Sequence, residues 1–277
     1  MLKKWRIKNI FLRTKPLRLV KKNIIKKSYG IEIEIIGSLV SIKKEQILEL
    51  KELIDQFGYV LMRGKNKLTP EQQVQFTQKL GDLETFKVPF DKSYVSNKIL
   101  KFSNISRMYQ KSLGFLWHSD GAFNARPSYL TVYHMASIPE NSETCFASLQ
   151  EAYRVLPQNL KMQWESYQAV YTSGIDHPLI LKHPYTGKYG IYVDLGYIES
   201  FVDKRIGNKK ISLPEFNTMI QFFHDVFSKP ENYYCHTWRL GDVIIIDNYA
   251  ITHKDVVAID GNALKEIHRT NIKGIYI

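Results

Sequence analysis

Two candidate metal ligands stand two residues apart, His118 and Asp120 in Trp117-His118-Ser119-Asp120-Gly121, and a third, His253, lies 133 positions beyond Asp120. If the three share one ion, both halves of the chain must fold around a single centre. On an extended strand successive side chains point to opposite faces, so His118 and Asp120 share a face and Ser119 points away. Two imidazoles and one carboxylate on one face of an octahedron suit a borderline metal such as Fe(II) and leave the opposite positions open. Isolated His-x-Asp pairs are common in chains that bind no metal, so the rest of the sequence has to supply the partners.

The C-terminal part does so. Val243-Ile244-Ile245-Ile246 is apolar, β-branched and preceded by Gly241-Asp242, which predicts a buried strand, with His253 just past the turn that follows. Ile267-His268-Arg269-Thr270-Asn271-Ile272 predicts a further strand carrying one Arg. An Arg in an apolar strand is costly to bury unless it meets an anion, and its planar fork suits a carboxylate.

With these residues the chain resembles the TauD/TfdA group of iron(II)- and 2-oxoglutarate-dependent dioxygenases. The resemblance runs through Phe57-Gly58-Tyr59-Val60-Leu61-Met62-Arg63-Gly64, Leu80-Gly81-Asp82-Leu83, Pro127-Ser128-Tyr129-Leu130, Ser142-Glu143-Thr144, and the stretch His177 to Lys188 followed by Ile191-Tyr192-Val193. It implies a metal triad of His118, Asp120 and His253. It also implies that Arg269 binds the far carboxylate of 2-oxoglutarate and that Thr144 helps to hold that cosubstrate. Members often carry an Arg four residues before the cosubstrate Arg; here Lys265 stands there, keeping the charge without the bidentate fork. The expected cofactor set is Fe(II), 2-oxoglutarate and O2.

Two departures narrow the expectation. Taurine-type enzymes place polar residues ahead of the metal motif, where this chain has Gly114-Phe115-Leu116, so taurine is not the expected substrate. Gly121 after Asp120 is similar to a branch acting in isonitrile biosynthesis. Halogenating relatives lack the carboxylate ligand, and Asp120 is present. The expected reaction is hydroxylation or desaturation of a C–H bond in a small molecule, with release of succinate and CO2. An isonitrile-forming or isonitrile-tailoring oxygenase of the same family is one alternative, and a non-catalytic metal or ligand sensor on the same fold is another. Tyr94, Phe115, Phe123 and Arg126 are candidate substrate contacts.

The net charge of +12 is unevenly spread. Residues 1–28 hold eleven Lys or Arg and no acidic residue, which leaves the remainder near neutral. We therefore expect a basic N-terminal arm over 1–28, partly joining a sheet, and a single catalytic domain over 29–277. No nucleic-acid partner is expected of the body, and no stretch is apolar enough to span a bilayer; a homo-oligomer stays open. Two cysteines, Cys145 and Cys235, suggest no disulfide framework, and a reducing cytoplasm is the default location.

Elsewhere, Gly30 to Ile36 predicts a strand and Lys44 to Phe57 a helix. Thr69-Pro70-Glu71-Gln72 is a capping box opening a helix to about Leu80, with similar boxes at Ser148 and Ser212. Residues 85–115 offer few regular signals and predict a loop over the substrate. Short helices outside many separated strands fit a mainly β fold with helical insertions, the double-stranded β-helix or jelly roll of the 2-oxoglutarate oxygenases. Of the other histidines, His177 and His183 are expected to shape turns, His134 to lie in the core, His236 to support the site, and His268 to face away from Arg269.

Overall fold

No position of Val243-Ile244-Ile245-Ile246-Asp247 is exposed, because this strand is covered on both faces. Its alternate residues enter two different cores. Val243 and Ile245 join one cluster with residues of two helices, while Ile244 and Ile246 join another with Tyr133 and Phe146. The fold is built outward from that division. A computed structural model describes residues 18–26, 28–63, 67–86, 96–103, 114–138, 142–256 and 265–277.

Seven strands form the main sheet: β1 (Arg18–Ile24), β2 (Ile31–Ile36), β3 (Tyr59–Arg63), β4 (Leu100–Ser103), β5 (Leu130–Ser137), β14 (Val243–Asp247) and β16 (Glu266–Ile272), in the order β1-β2-β3-β14-β5-β16-β4. Facing it is a three-stranded sheet of β6 (Glu143–Ser148), β13 (Tyr233–Thr237) and β15 (Ile251–Val256), in the order β13-β6-β15. A third sheet holds β7 (Tyr167–Tyr171), β8 (Asp176–Pro178), β11 (Ile198–Asp203) and β12 (Lys209–Lys210), and β9 (Ile180–Lys182) pairs with β10 (Tyr189–Ile191). Two sheets closing over a shared apolar interior make a jelly roll, as the sequence predicts.

The outer face of the main sheet is covered by α1 (Lys44–Phe57) and α2 (Pro70–Leu80), which bury Leu50, Leu53, Ile54, Phe76 and Leu80 against Val60, Met62 and Val132. The capping box of α2 forms as predicted: Gln72 N–H donates to Thr69 Oγ1 at 3.2 Å, and Thr69 N–H donates to Gln72 Oε1 at 2.9 Å. Behind the three-stranded sheet, α3 (Leu149–Arg154), α4 (Gln158–Trp164) and α5 (Leu213–Phe227) complete a second core around Trp117, Ala147, Phe201 and Phe223. Ser148 and Ser212 cap α3 and α5 by accepting the N–H groups of Glu151 and Glu215.

Two expectations change, over 85–115 and at the two cysteines. The predicted loop over 85–115 contains a strand, since β4 pairs with β16; its stretches 87–95 and 104–113, with Tyr94, lie outside the described residues. Four buried or half-buried positions gave too short a pattern to announce that strand. Within 1–28, Arg18–Ile24 pair antiparallel with β2, while residues 1–17 lie outside the described residues. Cys145 and Cys235, 90 residues apart, stand directly opposite on β6 and β13 and are joined as a disulfide, a consequence of strand register that spacing does not reveal. Among the described residues no helix is long and apolar enough to cross a membrane.

Candidate metal centre and active site

His118 and His253 come together because their backbones pair. Each donates its N–H to the other's carbonyl at 2.9 Å, and their rings lie 4.1 Å apart between centroids. Residues 114–118 run antiparallel beside β15, with Asp255 N–H donating to Gly114 O at 2.7 Å. The strand expected over 118–120 is reduced to this single bridge, because the chain turns at Gly121, whose φ is +72°. A Cβ at Gly121 would also stand 2.8 Å from Ser128 Oγ, so both backbone conformation and space call for glycine. The turn swings Asp120 toward the histidines. Ligand atoms of His118, Asp120 and His253 all lie within 4.8 Å of one another.

Protonation suits this donor set. Burial opposes charge on Asp120, but the Arg269 guanidinium and the two imidazoles outweigh it and hold the carboxyl well below the usual range. Burial, and then the charge of His118, push the His253 imidazole far below its ordinary value, so it is neutral. His118 Nδ1–H donates to Leu116 O at 2.8 Å, which fixes the ring and leaves Nε2 for another partner. His253 Nδ1 is buried without a hydrogen-bond partner. An anionic carboxylate and a neutral imidazole are the forms in which Asp120 and His253 would bind a metal.

Arg269 projects from β16, opposite Tyr133 on β5, and its guanidinium pairs with Asp120 Oδ1. Its flat face lies 4.7 Å from the Phe102 ring centroid. Lys265 is buried just before β16, whose register shifts between Glu266 and Ile267. Thr144, on β6, donates to Asp255 Oδ1 at 2.9 Å and accepts from Trp238 Nε1 at 2.9 Å, one strand pair beyond His253. His236, buried at hydrogen-bond distance from Asp242, packs edge-on against Trp238. Of the three metal-ligand candidates Asp120 meets Arg269 directly, whereas Thr144 engages neighbours along the three-stranded sheet.

Other positions take structural partners. His183 donates from Nε2 to Asp247 at 2.8 Å and accepts two turn N–H groups at Nδ1, and His177 donates to Asn124 O. His268 faces away from Arg269, toward Glu266 and His134. Phe123 packs on Tyr197, Arg126 lies over Tyr276, and Phe115 is exposed.

Sequence reasoning missed the residues that hold Asp120. Thr131 and Tyr133 both donate to its Oδ2, at 2.8 and 2.6 Å, and Asn248 accepts its N–H through Oδ1 at 3.2 Å. The available signal was the alternation in β5, where Thr131, Tyr133 and Met135 share the inner face.

The model of a family described as taurine catabolism dioxygenase TauD, TfdA family matches residues 25–271. The chain belongs to this dioxygenase family. An alpha-ketoglutarate-dependent 2,4-dichlorophenoxyacetate dioxygenase of Cupriavidus pinatubonensis is 22% identical over 264 residues, covering 82% of this chain and 88% of the relative. A 3-((Z)-2-isocyanoethenyl)-1H-indole synthase of Fischerella ambigua is 25% identical over 245 residues, covering 81% and 86%. The crystal structure of AAD-2 with Mn(II) and N-oxalylglycine superposes with a TM-score of 0.78 at 17% identity, covering 94% of this chain and 99% of that one, and supports the TauD-like fold.

Proposed function

We propose that this TauD/TfdA protein is an Fe(II)- and 2-oxoglutarate-dependent dioxygenase that oxidises a C–H bond of a small molecule, by hydroxylation or desaturation, releasing succinate and CO2. The observation that carries the reading is the convergence of His118, Asp120 and His253 beside the half-buried cation Arg269. When bound, iron(II) supplies the reactivity with O2 that couples decarboxylation of a 2-oxo acid to oxidation of a substrate.

The protein's part is binding and exclusion of water. His118, Asp120 and His253 would hold the metal, with the His118 ring oriented by Leu116 O. Arg269, fixed between Phe102 and Asp120, would anchor the far carboxylate of 2-oxoglutarate, with Thr144 and Lys265 as further cosubstrate contacts. Tyr133, Phe146 and Trp238 are buried around these groups and keep the surroundings apolar, which strengthens each charge interaction.

A narrower reading, an isonitrile-forming or isonitrile-tailoring activity, is favoured by the Fischerella relative and by Gly121 after Asp120. Product analysis with an isonitrile precursor distinguishes it from plain hydroxylation.

The deciding experiment is anaerobic addition of Fe(II) and then 2-oxoglutarate to metal-free protein, observed by visible absorption. A weak charge-transfer band is expected in the wild type and none in His253→Ala. Absence of the band from folded wild-type protein would reject the dioxygenase reading in favour of a metal or ligand sensor.

A further inference from the structure

Asp120 has two oxygens with different surroundings. Oδ2 accepts hydrogen bonds from Thr131 Oγ1 at 2.8 Å and Tyr133 Oη at 2.6 Å, whereas Oδ1 meets Arg269. The donors stand two residues apart on β5, so both project from its inner face. Their orientation is imposed from behind. Asn248 Nδ2–H donates to Thr131 Oγ1 at 2.9 Å, while Asn248 Oδ1 accepts the N–H of Asp120 at 3.2 Å. With its lone pair filled by Asn248, the Thr131 hydroxyl turns its proton to the carboxylate.

Tyr133 has a second contact. Its hydroxyl lies 3.0 Å from His253 Nε2, and the rings meet edge-on at 5.8 Å. The phenol's one proton goes to Asp120, so an Nε2 lone pair kept for a metal receives no hydrogen bond from it, and Tyr133 meets the His253 ring by edge-on packing. One hydroxyl on the main sheet therefore touches two candidate ligands, one on the Gly121 turn and one on β15.

We propose that Tyr133 is a positioning residue of the metal centre: with Thr131 it occupies Oδ2 of Asp120, so that the carboxylate offers a single oxygen to the metal, and its ring packs edge-on against that of His253. This inference rests on the metal-site reading above. Groups that orient ligands through hydrogen bonds are worth about 10- to 100-fold in metal affinity.

The test is Co(II) titration of metal-free full-length protein, with ligand-field absorption as the readout and thermal melting as the check on folding. Wild type should bind Co(II) and His118→Ala should not; failure of the wild type would overturn the metal-site reading and this inference with it. Given wild-type binding, Tyr133→Phe should bind about 10- to 100-fold more weakly, with its spectrum shifted toward higher coordination as Asp120 becomes free to use both oxygens. Thr131→Val, which removes the other donor to Oδ2, should move affinity and spectrum the same way, and Thr131→Ser should restore both. Wild-type affinity and spectrum in folded Tyr133→Phe would overturn the inference. So would an intense phenolate-to-iron band in Fe(III)-loaded wild type that disappears in Tyr133→Phe, since the phenol would then be a ligand itself.

Discussion

Asp194 is a buried carboxylate outside the metal cluster whose ionisation the fold resists. Its Oδ1 accepts the N–H groups of Gly196 and Tyr197 at 2.8 and 3.2 Å, while Oδ2 has no hydrogen-bond partner. Burial pushes its pKa up to about 6, against a relief from His118 that is too small to restore the ordinary value. A carboxyl raised above its unfolded value of about 3.9 contributes its full stability below that pH and loses it as pH rises through about 6. The loss amounts to about 3 kcal/mol. Asp194→Asn keeps the acceptor for both N–H groups and removes the charge. In metal-free protein, urea unfolding should therefore show the variant gaining on the wild type between pH 4 and pH 7; parallel pH profiles would refute the assignment. At this scale the sequence named the chemistry of His118, Asp120, His253 and Arg269 but not the neighbours that set their protonation, because burial and hydrogen bonding come from other segments.

At the scale of elements, local signals and local structure agree where the determinants are local. The capping residue, first-turn Pro and returning Gln of α2 are consecutive, and the helix runs over Pro70–Leu80. This helix also supports the main sheet from outside: Gln73 donates to Val132 O and His268 O at 3.1 and 3.2 Å, and Thr77 bonds Thr270 at 2.8 Å. Thr69→Ala should cost about 1 kcal/mol in chemical denaturation, without loss of the visible band formed with Fe(II) and 2-oxoglutarate, because the cap is remote from the inner face. A band lost in step with stability would mean that α2 governs the site as well. Strand β4 and the bridge at His118 behave differently. Each is short, and each exists because a partner strand, β16 or β15, supplies the hydrogen bonds.

Across the whole molecule, the proposed site joins a turn after His118, the three-stranded sheet through His253, and the main sheet through Arg269 and Tyr133. A metal gripped by the first two and absent from the unfolded chain stabilises the folded state by mass action, about 2.7 kcal/mol at a hundredfold excess over its dissociation constant. For a chain of this length that corresponds to a rise of about 5 °C in melting temperature. Addition of Mn(II) or Co(II) under nitrogen should produce this rise in wild type and not in His118→Ala. Equal shifts in both proteins would place the ion elsewhere.

Taken alone, the amino-acid sequence determined the periodic elements, the jelly-roll class and the candidate ligands at positions 118, 120, 253 and 269. Each follows from residue chemistry, local spacing or family pattern. Tertiary structure decided the rest: the two-hydroxyl hold on Asp120, the pairing of Arg269 with that carboxylate, the partners of Thr144 and the joining of Cys145 to Cys235. Those depend on strand register, which brings Tyr133 opposite Arg269 and Cys145 opposite Cys235 across long separations. A shift of one residue would turn each side chain to the other face of its sheet.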